Sequence, residues 1–345
     1  MTQITASAPV RICDCGGWTD TWFAKTGCVF HIAVEPRVRV NVRVSARRPL
    51  QGATTIYAAN YNECYPFTPS GKTWVKHPLL EAAIASVGVR TDLHIDVHVW
   101  SGVPPGAGMG TSAAVCVALV GALKDLSGAS ATPGEVAAAA HAVEADWLDQ
   151  QSGVQDQLAA AYGGVNFIEI DDYPHATVRP VTLPPGVRDQ LQDRLLVVYL
   201  GLSHSSTAIH EQVIRDVGGM GSSRPVLEEL RQAARDAGDA VSAGDLDGLA
   251  AAMRANTEAQ RRLHPSLIGA GAQAVIDAAR GHGVIGWKVN GAGGEGGSLT
   301  LLFGPDQDRR AAFESALAAA CPDARIIPVR LAAEGLRVVA PPSGV

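Results

Sequence analysis

The stretch Pro104-Pro105-Gly106-Ala107-Gly108-Met109-Gly110-Thr111-Ser112 restricts this chain more than any other. Ahead of it, Leu93–Val99 (LHIDVHV) alternates apolar and polar residues strictly, as a half-buried strand does. Behind it, Ser112–Leu126 is an apolar run of helical length. Glycines between a strand and a helix let the backbone pass close to a ligand. The helix start then presents unpaired N–H groups and a positive dipole end. That is a phosphate site by its physics, and the hydroxyls of Thr111 and Ser112 suit a phosphate oxygen or a metal ion. A plain turn capped by Thr111 or Ser112 is the alternative. A Walker A loop is excluded: the nearest match ends in Gly71-Lys72-Thr73, but Pro66 stands at the first glycine position. The G-x-G-x-x-G pattern fails here at Thr111.

The chain has 345 residues, enough for two domains at roughly 150 residues each. It is 47% hydrophobic and 18% charged, which allows a full core and excludes a disordered chain. The formal net charge of −6 argues against a general nucleic-acid or anionic-membrane binder. No apolar run reaches the roughly 18 residues of a spanning helix. The start, MTQITASAPVRIC, has no charged segment leading into an apolar one, so no signal peptide is expected. Six cysteines in so long a chain do not make a disulfide framework, and a cytoplasmic protein with reduced thiols is expected.

Val10–Ile12 and Val29–Val44 read as antiparallel strands with Gly16-Gly17 as a turn between them. Helices are expected over His77–Val87, over Ser112–Leu126, over Pro133–Trp147 with Thr132 as cap, and over Gln155–Tyr162. A turn-rich stretch, Asp171–Arg188, suggests domains at 1–180 and 181–345. The second half mixes helices with strands at Leu195–Leu200, Ile285–Asn290, Leu299–Leu302 and Arg325–Arg330, so the class is α+β.

Three further groups bear on chemistry. Lys288-Val289-Asn290-Gly291-Ala292-Gly293-Gly294-Glu295-Gly296-Gly297 matches G-x-G-x-x-G literally, but a strand follows it, so it reads as a strand–loop–strand hairpin able to lie against a ligand. Asp20, after Gly16-Gly17-Trp18-Thr19, suits either sugar hydroxyls or an Asx turn. Glu144 and Asp156 are two carboxylates near helix ends, one suited to magnesium and the other to a substrate hydroxyl. His204 is a candidate substrate contact, whereas Cys13 and Cys15 read as core.

Taken in order, APVR…GGWTD, PPGAGMGTSAA and KVNGAGGEGG resemble the three signature motifs of the GHMP kinases over nearly the whole chain. The resemblance implies a two-domain α+β fold with ATP in the cleft between domains. It implies that Pro105, Gly106, Ala107, Gly108, Met109, Gly110, Thr111 and Ser112 cradle the nucleotide phosphates, and that Ser112 and Glu144 hold Mg2+. Asp156 matches the family's catalytic aspartate. Arg11 matches a basic residue that stabilises the transferring phosphoryl group or the aspartate. Gly17, Trp18, Thr19, Asp20, His204, Gly291, Ala292 and Gly293 fall to the substrate side.

The first motif lacks the Glu and His of galactokinases. Its G-G-x-T-D form is similar to kinases of the anomeric hydroxyl, such as heptose 7-phosphate kinase and L-fucokinase, as is QDQLAAAYGG at 155–164. The expected substrate is a sugar or sugar phosphate, with no nucleic acid or membrane as partner and the oligomeric state open. The alternatives are a galactokinase, mevalonate or homoserine kinase type, a non-catalytic ATP/sugar sensor, or a decarboxylase-type relative. Glu295 replaces a usual glycine, and its charge is expected to point away from phosphates. Arg37, Arg39 and Arg215 are available for a phosphate on the acceptor. Tyr61, Tyr65 and Trp74, in 59–77, are candidates for an adenine wall.

Overall fold

The computed structural model describes residues 2–46, 53–90, 92–202, 206–217 and 224–340. Two long strands open the chain, β1 (Thr2–Cys15) and β2 (Gly27–Ala46). They pair antiparallel, with register shifts between Ala8 and Val10 and between Ile12 and Cys15. The second shift, where Cys13 takes φ 56°, bends the end of β1 as bulges do. β3 (Thr54–Ala58), β4 (Glu63–Phe67), α1 (Pro78–Val87) and β5 (Leu93–Ser101) follow. Next come α2 (Thr111–Leu126), α3 (Pro133–Ala142), α4 (Gln155–Tyr162), β6 (Val165–Asp172) and β7 (His175–Pro180).

The second half holds α5 (Val187–Arg194), β8 (Leu195–Tyr199), α6 (Ser206–Val217), α7 (Pro225–Ala243), α8 (Leu246–Leu263) and α9 (Ala270–Arg280). It ends with β9 (Val284–Val289), β10 (Ser298–Phe303), α10 (Gln307–Ala320), β11 (Arg325–Ile327), β12 (Arg330–Leu331) and β13 (Arg337–Val339). Among the described residues there are two sheets. The larger runs β13-β1-β2-β5-β3-β4, with β6, β7 and β12 joined through β2; the smaller is β11-β8-β10-β9.

α2 is apolar on nearly every side, from Ala113 to Leu123, and so lies buried between the large sheet and its neighbouring helices. α3 begins at a reciprocal cap: Glu135 N donates to Thr132 Oγ1 (3.3 Å) and Thr132 N donates to Glu135 Oε2 (2.8 Å). The expected helix 133–147 holds to Ala142 and continues as a π-helical turn over Val143–Trp147, which carries Glu144. A second core joins the small sheet to α9 and α10. α7 and α8 pack on each other, α7 against β2 and α8 against β9, so they bridge the two sheets.

The turn-rich stretch 171–188 contains β7, hydrogen-bonded to β6 from Asn166↔Pro180 to Asp172↔His175. The boundary expected after residue 180 thus falls at the end of a strand. The chain beyond it is not confined to the small sheet: β12 pairs with β2, and β13 with β1. Both strands, two and three residues long, are too short to show an alternating pattern in the sequence.

Candidate active site

The bent end of β1, the start of α2, the π-helical turn and the start of α4 enclose a cavity of about 330 Å³. Three glycines with left-handed backbone, Gly106, Gly108 and Gly110 (φ near 70°), bring the chain into the first turn of α2. No side chain caps that turn, so its leading N–H groups face the cavity without the usual internal acceptor. Thr111 Oγ1 and Gln155 Oε1 are buried in the same wall without a hydrogen-bond partner. A donor-rich helix start beside orphaned polar atoms fits a polyphosphate and a hydroxyl-bearing acceptor.

Arg11 comes from β1 and is 3% exposed. Its Nε donates to Asp156 Oδ1 at 2.8 Å, its Nη1 donates to the Gly108 carbonyl, and its Nη2 lies 3.9 Å from Asp14 Oδ2. Burial opposes the guanidinium charge, but Asp14 and Asp156 outweigh it and hold its pKa above the ordinary value. Asp156 stands in the first turn of α4, where the helix dipole favours a carboxylate. A Cβ at Gly110 would lie 3.1 Å from its carboxyl carbon, so the carboxylate sits directly beside the glycine loop.

Asp20 is 2% exposed and accepts the backbone N–H of Gln155 (Oδ2, 3.1 Å). Burial raises its pKa to about 6 against that hydrogen bond. Glu144 accepts from Ser152 Oγ (2.6 Å) and Gln157 Nε2 (2.8 Å). Burial raises it to about 7, with the nearby charge of Asp156 adding to the rise. A cation would relieve exactly that penalty. Glu144 and Ser112 line one cavity, as a magnesium site held by one carboxylate, a hydroxyl and phosphate oxygens requires.

The structure thus brings together Arg11, Trp18, Asp20, Gly106, Ala107, Gly108, Met109, Gly110, Thr111, Ser112, Glu144, Asp156, Gly291 and Ala292. Trp18 also donates from Nε1 to the Ala292 carbonyl (3.3 Å), tying the first motif to the third. Other expected residues stand behind the wall. Thr19 spends its hydroxyl inside the turn, donating to the Gly16 carbonyl (2.7 Å) and accepting from Cys28 N (3.2 Å). Gly17 abuts Asp14, and Gly293 abuts the Leu267 carbonyl. His204 lies outside the described residues.

Pro105 lines an adjoining cavity of about 260 Å³, which shares Gly106, Thr111 and Ser112 with the first and also contacts Tyr61 and His77. Tyr65 and Trp74 are engaged elsewhere. Tyr65 donates to Glu81 (2.7 Å), and Trp74 packs on Trp147. Glu295 is exposed, as its charge requires, while Cys13 and Cys15 are buried. Arg37 is committed to the carbonyls of Ser7, Glu334 and Gly335. Gln150, Gln151 and Ser152, which also line the main cavity, carry no motif and were visible in the sequence only as a polar run after the helix.

Residues 78–164 match the family model described as the GHMP kinases N terminal domain. A mevalonate kinase of Thermococcus sibiricus is 30% identical over 251 residues, 71% of this chain and 69% of that protein. The chain belongs to the GHMP kinases. The bifunctional fucokinase/GDP-fucose pyrophosphorylase of Arabidopsis thaliana is 25% identical over 85% of this chain and 29% of its own length. The D-glycero-alpha-D-manno-heptose 7-phosphate kinase of Campylobacter jejuni is 24% identical over 63% of each. The chain therefore spans less than two thirds of both these relatives. The crystal structure of a D-glycero-D-manno-heptose 1-phosphate kinase from Bacteroides thetaiotaomicron superposes with a TM-score of 0.73 at 19% identity, covering 97% of this chain and 98% of that one. That likeness confirms the mixed α+β, two-domain fold. Among the described residues no helix is long and apolar enough to cross a membrane.

Proposed function

We propose that the protein is an ATP-dependent sugar kinase that phosphorylates the anomeric hydroxyl of a sugar or sugar phosphate of the heptose 7-phosphate or fucose/arabinose kind. One observation carries this reading: the Arg11–Asp156 pair (2.8 Å) borders the uncapped, glycine-lined start of α2 in the cavity that also holds Asp20, Glu144 and Ser112. Phosphoryl transfer asks mainly for alignment and charge stabilisation, and these groups supply both.

Asp156 accepts the proton of the anomeric hydroxyl, which is more acidic than an ordinary alcohol. The anomeric oxygen bonds to the γ-phosphorus as the bond to the β,γ-bridging oxygen breaks, releasing ADP. The amides leading into α2 and the guanidinium of Arg11 stabilise charge on the moving phosphoryl group. Asp20 and Gln155 hold sugar hydroxyls and so select among sugars. Trp18, Gly291 and Ala292 close the acceptor side, with Gly17, Thr19 and Gly293 supporting them; His204 is assigned to the same side. Ser112 and Glu144 would hold magnesium, which neutralises phosphate charge when bound. ATP as donor and six free cysteines suit a cytoplasmic setting.

The similarity to mevalonate kinases supports a second reading, a mevalonate-type acceptor. The polar wall of Asp20, Gln150, Gln151, Ser152 and Gln155 favours a hydroxyl-rich acceptor instead. An ADP-release assay over fucose, arabinose, galactose, heptose 7-phosphate, mevalonate and homoserine decides. The expected result is ADP with a sugar and a product phosphorylated at the anomeric carbon. ADP with mevalonate or homoserine alone transfers the protein to that branch. Tight binding of ATP and sugar without ADP makes it a sensor.

A further inference from the structure

One buried ion pair lies outside the chemistry above. Asp14 and Lys288 are both 0% exposed, with Nζ 3.3 Å from Oδ1. Lys288 also donates to the Val289 carbonyl. Taking two charges out of water costs several kcal/mol per ion, so such a pair is weak evidence of stabilisation for its own sake. Its other contacts show what it does. Asp14 accepts the Gly291 N–H at both carboxylate oxygens (3.2 and 3.0 Å) and faces Arg11 Nη2 at 3.9 Å. Beside it, Cys13 N donates to Asn290 Oδ1 (3.1 Å), which also accepts from Thr300 Oγ1 (2.8 Å).

The guanidinium of Arg11 therefore has each of its edges assigned. Nε goes to Asp156 on α4, Nη1 to the Gly108 carbonyl before α2, and Nη2 faces Asp14 on its own strand. Asp14 is the group that joins Arg11 to the third glycine motif. Gly291 fits there because a Cβ would lie 2.9 Å from the Gly108 carbonyl and 3.4 Å from Arg11 Nη2.

We infer that Asp14 is a positioning residue for phosphoryl transfer: anchored by Lys288 and the Gly291 amide, it fixes Arg11 so that its charge faces Asp156 and the glycine loop. This rests on the kinase reading and adds to it a residue that touches no substrate. Neutralising Asp14 leaves Arg11 with Asp156 and the more weakly coupled Asp20 as counter-charges and strands Lys288 in the core. Pairing Asp14→Asn with Lys288→Met removes the stranded charge and separates stability from catalysis.

The test uses the sugar that the wild type turns over, with ADP release and thermal melting measured on Asp14→Asn, Asp14→Asn/Lys288→Met, Arg11→Gln and the Arg11→Gln combinations. We expect the double variant to melt close to wild type while its kcat falls about tenfold, the scale of a supporting residue mispositioning a catalytic one. KM for ATP and for sugar should stay within about twofold, marking a transition-state effect. In the Arg11→Gln background the same change should alter kcat by less than about twofold, because Asp14 acts through Arg11. Wild-type kcat in the double variant overturns the inference, as does an equal loss in the Arg11→Gln background. Should the double variant fail to fold, Asp14→Asn alone decides by the same KM and kcat comparison. A wild type that turns over no sugar overturns the kinase reading and this one with it, whereas an active wild type with an indifferent Asp14 overturns this one alone.

Discussion

In the proposed reaction Asp156 faces two demands: it must hold Arg11 in place and take a proton from the acceptor. Asparagine keeps the shape and loses the base, so Asp156→Asn should lower turnover about 100-fold or more in the ADP-release assay. A value within about threefold of wild type would remove Asp156 from that role. Asp20 gives a test by pH. Its pKa is raised by burial to about 6, so the folded state holds a proton that the unfolded chain has already lost. The stability this contributes is full below the ordinary aspartate range and fades as pH rises to about 6. Melting curves across that window should therefore show a decline that Asp20→Asn flattens. Arg11, Asp20 and Asp156 could be singled out in the sequence because each sits in a stretch of motif-like spacing, whereas Glu144 stood out only as a carboxylate near the end of an alanine-rich helix. Asp14 was not: an acid between two core cysteines gives no pattern until the fold brings Lys288 to it across 274 positions.

Elements meet closely just ahead of α4. Gly153 lies so close to Asp20 that a Cβ there would fall 2.0 Å from Oδ2. Gly153→Ala must push the carboxylate off the Gln155 amide. It should cost about 1–3 kcal/mol, the usual cost of overpacking, and raise KM for sugar more than KM for ATP; thermal melts and steady-state kinetics check both. Helix starts were readable because capping is local, as at Thr132 and Pro133. The π-helical turn was not readable, since its extra residue per turn follows from packing rather than composition. It carries Glu144, which accepts from Ser152 and Gln157.

The whole molecule is closed by its last described strands. Gly164 N donates to the Ala332 carbonyl (2.8 Å), Ala332 N to Ala33 (2.9 Å) and Leu336 N to Ala161 (3.1 Å), while Leu336 fills the space beside Gly121 on α2. A chain ending at residue 328 should melt at least about 10 °C lower or be recovered insoluble, because it strips hydrogen-bonded backbone from both the large sheet and α4. The α+β class was legible from the mixture of strand and helix patterns; this return was not, because two- and three-residue strands carry no period. It has a bearing on biosynthesis. The half that carries the glycine loop emerges from the ribosome first, yet its sheet gains its edge only after residue 339 is made. The nascent protein must therefore keep that seam open through most of its translation, and a stalled or clipped polypeptide would expose it to chaperones and proteases.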